Sequence, residues 1–511
     1  MPSGNTNSLT SGLTHEYNDI KWDDVEFLQI RYTDVLGRFL ASYVLKNNDD
    51  SLENLFKDGI GLDGSSVNGF ADISESDLIL LPDRSTIRVT PTTTIAGYNI
   101  AAVIADVYRG FGQGRLSKDP RHVSQCMEGY LRENELSCQI GSEIECFIFD
   151  DIQYDNNNNG GSGHKKKDNK NRSYEPKIIS VEQYGTGKYP IRRKGGYDAP
   201  PFQDSLTEFR FEVAQILRKY YSINVTNLIH EVASSGQIEI NFMHSTLTKA
   251  ADNVQVYKDV VRNVAKQHNK VANFMPKPFF DYKNNRTKGY DGADNGSGMH
   301  TSISLWNDSP DRLVKNNNIF YDENDDYAEL SHIARYFIGG ILDHASSLAA
   351  FVNPTINSYY RIIPGFEAPV YIAWARGNRS AVIRIPVDQK NNFKSKRIEF
   401  RAPDPSANPY LAFSAIVAAG IDGMKKKTDP GAPVNENIYK MSDSKRKNLG
   451  IKSLPSSLEE SLEALKSDSD YLHLCFNNEL IETYNMLKQQ EIVQIGNDKS
   501  KAKQFILYYD T

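Results

Sequence analysis

The chain has 511 residues, with 59 Lys+Arg against 65 Asp+Glu for a net charge of -6, and is 39% hydrophobic with 34 glycines besides. At roughly 150 residues per domain this gives about two to four domains and a large core, and the composition excludes whole-chain disorder, collagen and coiled coil. Near-balanced charge with no strongly basic block also excludes a primary nucleic-acid binder, which needs a basic footprint.

Cys126, Cys138, Cys146 and Cys475 form no CxxC pair and have no histidines at zinc-finger spacing, so they read as reduced thiols. Met1 to Tyr17 lacks the basic start and apolar run of a signal peptide. The apolar stretch from Phe337 to Val352 is interrupted by Asp343 and His344, too early for a membrane span. A cytoplasmic protein with no membrane attachment is expected.

In chain order, residues 1–21 read as a flexible lead-in. Residues 22–112 then run in short β-like pieces, Val25 to Ile30, Ile79 to Leu81 and Ile87 to Val89, broken by Asp-Gly and Pro-Asp turns, which predicts a small mixed domain. Gly110 to Gly114 reads as a surface turn, since neither GxxxxGK[ST] nor a strand-led GxGxxG occurs. Residues 113–511 form the larger domain. Within it Ser205 and Glu208 predict a capping box, followed at helical spacing by Phe209, Val213, Ile216, Leu217 and Tyr220. Val254 to Val264 marks a second helix and Tyr327 to Val352 a third, ending at Asn353-Pro354. Two polar stretches, about 153–177 and 283–294, read as solvated insertions.

Four strand-like segments carry polar residues two apart, hence on one face: Glu143 and Glu145; Gln237, Glu239 and Asn241; His300, Ser302 and Ser304; Arg397, Glu399 and Arg401. Any one of them alone reads as the solvated face of an antiparallel strand. If the four converge, carboxylates with one imidazole suit Mg²⁺ or Mn²⁺, and the arginines suit phosphate or carboxylate. That combination describes phosphoryl transfer.

The segments DGSSVNGF (Asp63 to Phe70), GSEIE (Gly141 to Glu145), HEVASSGQIEI (His230 to Ile240), NGSGMH (Asn295 to His300), NPTINSYYRIIPGFEAP (Asn353 to Pro369), NRSAVIRIP (Asn378 to Pro386) and RIEFRAPDPSANPYLA (Arg397 to Ala412) resemble type I glutamine synthetase. They stand in that family's order. The resemblance implies an α+β chain, with a β-grasp-like N-terminal domain followed by a catalytic domain on a curved antiparallel sheet flanked by helices. It also implies a homododecamer of two hexameric rings with active sites between neighbouring subunits.

The activity it implies is ATP-dependent ligation of ammonia to the γ-carboxylate of glutamate through γ-glutamyl phosphate, with two or more Mg²⁺ or Mn²⁺ ions per site. By position Glu145, Glu231 and Glu239 resemble the ligands of one metal, and Glu143, His300 and Glu399 those of another. Asn295, Gly296, Arg361 and Arg401 resemble the glutamate site. Asp63, Ser66, Tyr197 and Glu231 resemble the ammonium pocket, with Asp63 from the adjacent subunit as proton acceptor. Glu367 sits on the flap that closes over the site. Arg379, Arg384, Arg397 and Ser304 fall on the nucleotide and phosphate side, Arg379 among the catalytic residues.

Three positions depart from the family pattern, all towards the nucleotide: Thr226, Ile229 and Ser302 stand where a Glu and two His are common. Two other readings share the remaining residues: a γ-glutamyl ligase for an organic amine, and a catalytically weak regulatory paralogue. Tyr439 reads as a packed surface tyrosine and Lys425 to Lys427 as a solvated helix end. The C-terminal pattern from about Leu472 to Tyr509 is helical.

Overall fold

The computed structural model describes residues 21–47, 49–89, 97–110, 112–153, 176–280, 294–308, 317–364, 368–387, 389–497 and 500–511. The lead-in, most of both polar insertions and Glu367 therefore lie outside the described residues.

The first sheet has the strand order Phe39–Leu45, Phe27–Thr33, Ile100–Arg109, Asp77–Pro82, Ile60–Asp63, with Arg88–Val89 also on Ile100–Arg109. Its two central strands run parallel and the rest antiparallel. The helix Asp49–Asp58 packs on Asp77–Pro82, completing a β-grasp.

The second sheet has ten strands along the order Val225–His230, Gln237–Phe242, Leu136–Phe149, Met299–Asn307, Ile398–Phe400, Ala381–Ile385, Tyr371–Arg376, Lys452–Ser453, with Ser245–Thr246 and Val271–Asn273 also on Leu136–Phe149. Its apolar face is covered by the helices Pro120–Glu133 and Leu247–Gln267, and behind them by Pro409–Lys426. Asp119 caps the first of these through the Arg121 N–H at 3.0 Å, with Pro120 at the position where a missing N–H costs nothing. Asn408 does the same for Pro409–Lys426.

The two sheets are tied by polar contacts. Buried Arg121 reaches Asp106 at 2.6 Å, Asp83 at 2.8 Å and Asp252 at 3.0 Å. Asn408 and Gln255 donate to backbone oxygens of the Asp34–Gly37 turn.

Two helix expectations need correction. The helix after residue 205 spans Thr207–Tyr221, and its start is held by Asp204, which accepts from the Leu206 N–H at 3.0 Å and the Thr207 hydroxyl at 2.8 Å. Ser205 is drawn away by Glu182, so no capping box forms. The expected helix 327–352 is two, His332–Asp343 and Ala345–Val352. His344 interrupts it, its ring held by Asp468 and Asp422, each at 2.9 Å. The Val254 to Val264 pattern lies within Leu247–Gln267, and the C-terminal pattern resolves into Asn478–Ile495 and Lys501–Tyr508. All four cysteines are free thiols, and among the described residues no helix is long and apolar enough to cross a membrane.

Candidate active site

Strand register brings the polar faces together. Glu239 pairs with Glu145 and Asn241 with Glu143. His300 pairs with Glu143, Ser302 with Glu399, and Glu399 in turn with Arg384. Since partners in register point to the same side, five strands present one continuous polar floor.

Two compact groups result. Glu143, His300 and Glu399 bring one oxygen or nitrogen each to within 4.8 Å of one another, and Glu145, Glu239 and His300 do the same. His300 is common to both. Glu231 lines the same cleft but stands apart from these groups, its carboxylate accepting from the Val232 N–H at 3.1 Å.

The carboxylates lie in a dry environment. Burial, with the charge of Glu231 added, pushes Glu145 up to about 8, although Arg361 and Arg401 act in the opposite sense. Burial and the neighbouring Glu145 and Glu231 push Glu239 well above its ordinary value. Three carboxylates this close need cations or protons to coexist. Burial, helped by Arg401 and Arg361, holds His300 well below the usual imidazole range, so the ring is neutral and able to ligate. Glu399 differs. Burial disfavours its charge, but Arg401, with Arg384, outweighs that and holds its pKa down. Arg401 donates to it at 2.6 Å, and Arg384 binds its other oxygen.

A clamp of backbone and amide groups fixes the floor to the loop at 294–298. Glu145 accepts from the Gly298 N–H and from Gln237 Nε2, both at 3.0 Å, and Gln237 also donates to the Gly296 carbonyl at 3.0 Å. A Cβ at Gly298 would meet the Arg361 guanidinium at 2.7 Å and His300 at 2.8 Å, so only glycine allows that approach. Arg361 is buried and held by the carbonyls of Ala402 at 2.7 Å and Arg401 at 3.2 Å.

These groups surround a cleft of about 1120 Å³, whose lining takes in Glu143, Glu145, Glu231, Glu239, His300, Tyr197, Asn295, Gly296, Arg361, Arg379 and Arg401. Arg379 is presented by a turn that Asn378 anchors to the carbonyls of Val434 at 2.8 Å and Glu436 at 2.9 Å.

Among the described residues, six expected ones are not in that lining. Asp63 and Ser66 are exposed on the first sheet's edge, where the Asp63 carboxylate, its pKa lowered, accepts from the hydroxyls of Ser65 at 2.6 Å and Ser66 at 2.7 Å. Glu399 and Arg384 stay on the floor but are tied to each other as an ion pair, with Glu399 also held by Arg401. Ser304 accepts from the Trp306 indole at 2.9 Å, and Arg397 donates to the Ser395 carbonyl at 2.9 Å.

Sequence reasoning missed Asn227, Arg376 and the clamping role of Gln237. For Gln237 a signal existed, its position two before Glu239 on the same face. Tyr439, read as a packed surface tyrosine, is half-buried against Tyr371, and it also borders the cleft and donates to the Ala368 carbonyl at 2.7 Å.

Two family models match the chain, the glutamine synthetase β-grasp domain over residues 24–110 and the glutamine synthetase catalytic domain over residues 117–505. The chain belongs to the glutamine synthetase family. It is 43% identical to the glutamine synthetase of Sulfolobus acidocaldarius over 93% of this chain and 92% of that one. To that of Frankia alni it is 38% identical over 96% and 98%. Among solved structures it matches the cryo-EM glutamine synthetase of Plasmodium falciparum at a TM-score of 0.76 and 28% identity, covering 96% of this chain and 97% of that one. The chain is thus a glutamine synthetase that forms glutamine from glutamate and ammonia with ATP, and neither alternative reading is favoured.

Proposed function

We propose that the cleft activates the γ-carboxylate of glutamate by transferring the terminal phosphoryl group of ATP to it, and then delivers ammonia to the resulting acyl phosphate. The observation that carries this reading is the convergence of Glu143, Glu145, Glu239, His300 and Glu399 on one floor beside Arg361 and Arg401.

The donor set, carboxylate oxygens with one neutral imidazole, fits Mg²⁺ or Mn²⁺. Glu145, Glu231 and Glu239 would hold one ion, and Glu143, His300 and Glu399 another. Such ions neutralise the charge that otherwise sets one anion against another during phosphoryl transfer. Arg361, with Asn295 and Gly296, binds the glutamate main-chain end. Arg401 is tied to Glu399, so it bridges the substrate carboxylate and the metal floor. Arg379 faces the transferred group, while Arg384, Arg397 and Ser304 support the nucleotide side. The Glu367 flap excludes water from the acyl phosphate.

The ammonium pocket needs a second chain. Tyr197 and Glu231 line the cleft, but Asp63 and Ser66 are exposed and outside it, which supports assembly as a homododecamer in which a neighbour supplies them. Ser65 and Ser66 keep Asp63 charged, as a group that attracts ammonium and takes its proton must be. A cytoplasmic location agrees with these substrates.

The test is glutamine formation and ATP hydrolysis with glutamate plus ammonium, then with methylamine, ethanolamine or a polyamine. Turnover with an organic amine alone overturns the ammonium assignment. The shared site is tested separately by co-assembling Asp63→Ala with Glu239→Gln. Each variant alone is inactive, and mixed particles regain activity only if complete sites form between chains.

A further inference from the structure

Behind the cleft wall lies a buried titratable cluster that the reading above does not use. Glu182, Asp204 and His230 bring one ligand-type atom each to within 4.8 Å of one another. Their hydrogen bonds do not describe a further cation site. Asp204 is gripped by both terminal nitrogens of Arg210 and by the Leu206 N–H and Thr207 hydroxyl. Glu182 accepts with one oxygen from the Ser205 N–H and hydroxyl, both at 2.6 Å, and turns the other to His230 Nε2 at 3.1 Å.

The far side of the His230 ring points at the cleft wall, with Nδ1 2.8 Å from the Glu231 carbonyl oxygen. A carboxylate and a carbonyl can only accept, so the ring donates from both nitrogens and ties Glu182 to the backbone of Glu231. The same carbonyl is wedged against Gly196, where a Cβ would sit 2.4 Å from it and 2.6 Å from the Ala233 carbonyl. The Gly196 N–H donates to Val232 at 3.1 Å and the Asp198 N–H to His230 at 3.1 Å. The turn that presents Tyr197 therefore has its footing on this segment, and Glu231 and Tyr197 share one support.

We propose that Glu182, acting through His230, is a positioning residue that sets the Glu231 and Tyr197 edge of the cleft. The proposal rests on the reading of that edge as metal- and ammonium-facing. An amide in place of the carboxylate has one oxygen for donors on two sides, Ser205 and the imidazole, so its NH2 faces a buried N–H that is left unmatched and the hold on the Glu231 carbonyl is loosened.

The test is Glu182→Gln, which keeps the side-chain size. Mn²⁺ binding to the substrate-free protein, followed by the electron paramagnetic resonance of free Mn²⁺, is expected to weaken about tenfold, as for other groups that orient metal ligands. The KM for ammonium rises by a comparable factor, while the KM for ATP holds. Gly196→Ala, which pushes on the same carbonyl from the other side, should reproduce both shifts and serves if Glu182→Gln does not fold. Ser205→Ala removes a hydrogen bond remote from the cleft and should leave both constants within about twofold.

Unchanged Mn²⁺ binding and ammonium KM overturn the proposal. So does an equal loss for every substrate with a lowered melting midpoint, which marks a purely structural pair. If the parent chain makes no glutamine, the reading of the cleft fails instead, and the Mn²⁺ comparison still decides whether Glu182 positions Glu231.

Discussion

On the floor of the cleft Glu145 and Glu239 are buried and face each other across paired strands, whereas on its rim Thr226 and Asn227 are exposed and Ile229 half-buried on an edge strand. The floor is clamped from several sides, by Gln237, Gly298, Arg361 and Arg401. The rim is a short strand paired on one side only, with a register shift between Val225 and Asn227. Like charges packed in a dry interior leave little chemical freedom, because any change alters both the charge balance and the fold. A solvent-facing strand can change its side chains at small cost to stability. Two of the three departures from the family pattern, Thr226 and Ile229, fall on the rim, the third, Ser302, lies on a central strand beside the floor carboxylates, and the metal-type residues are complete.

The largest effects come from removing floor carboxylates, and two such variants should separate. Glu239→Gln and Glu399→Gln each remove one metal-type ligand and should lower turnover by about 100-fold or more. In metal-free protein their stabilities diverge. Glu239→Gln relieves repulsion from Glu145 and Glu231 and raises the melting midpoint. Glu399→Gln unties Arg401 and Arg384 and lowers it, by no more than the roughly 3–5 kcal/mol lost on breaking a buried pair. Melting curves with and without Mn²⁺ check this. A shift in the same direction for both would mean that the arginines do not distinguish the two carboxylates.

A smaller effect concerns pH. Glu145, pushed up to about 8, stays protonated in the metal-free fold over a range where an unfolded Glu, at about 4.3, is ionised. The folded state then binds the extra proton, so stability is full below about pH 4.3 and falls as pH rises towards 8. Glu239 adds to the same slope. Saturating Mg²⁺ or Mn²⁺ replaces the proton and should flatten the slope, and Glu145→Gln should flatten it without metal. Metal-free protein that gains stability between pH 5 and 8 would contradict the pKa direction of the floor.

Most of the floor was legible in the sequence because a strand's period of two shows which residues share a face: Glu143 with Glu145, and His300 with Ser302, read directly. Which strands adjoin is set by pairings between residues far apart in the chain, such as Glu143 with His300, and periodicity carries no information on that. Family order supplied it. Local capping misled at Ser205, because Glu182, distant in sequence, outcompetes the helix end for its hydroxyl. The packing of Tyr439 was read, but not its place beside the cleft, since its partner at Ala368 is far along the chain. The Glu182 and His230 pair gave no periodic signal, because one member follows a polar insertion and the other ends a strand.

The smallest effect tests whether the nucleotide side is independent of the metal-type floor. Ser302 is half-buried between Glu399 and Gly141 in register, and Gly141 has no side chain to crowd a larger group there. Ser302→His therefore has room, and a new neutral hydrogen bond towards the nucleotide would contribute about 0.5–1.5 kcal/mol, lowering the KM for ATP by about two- to twelvefold. Mn²⁺ binding to the metal-free protein should not move, because Ser302 belongs to neither ligand group. An unchanged ATP dependence would mean that rim groups, Asn227 foremost, already hold the nucleotide. A change in Mn²⁺ binding would show that the new imidazole reaches Glu399, and floor and nucleotide side would then be one electrostatic unit rather than two.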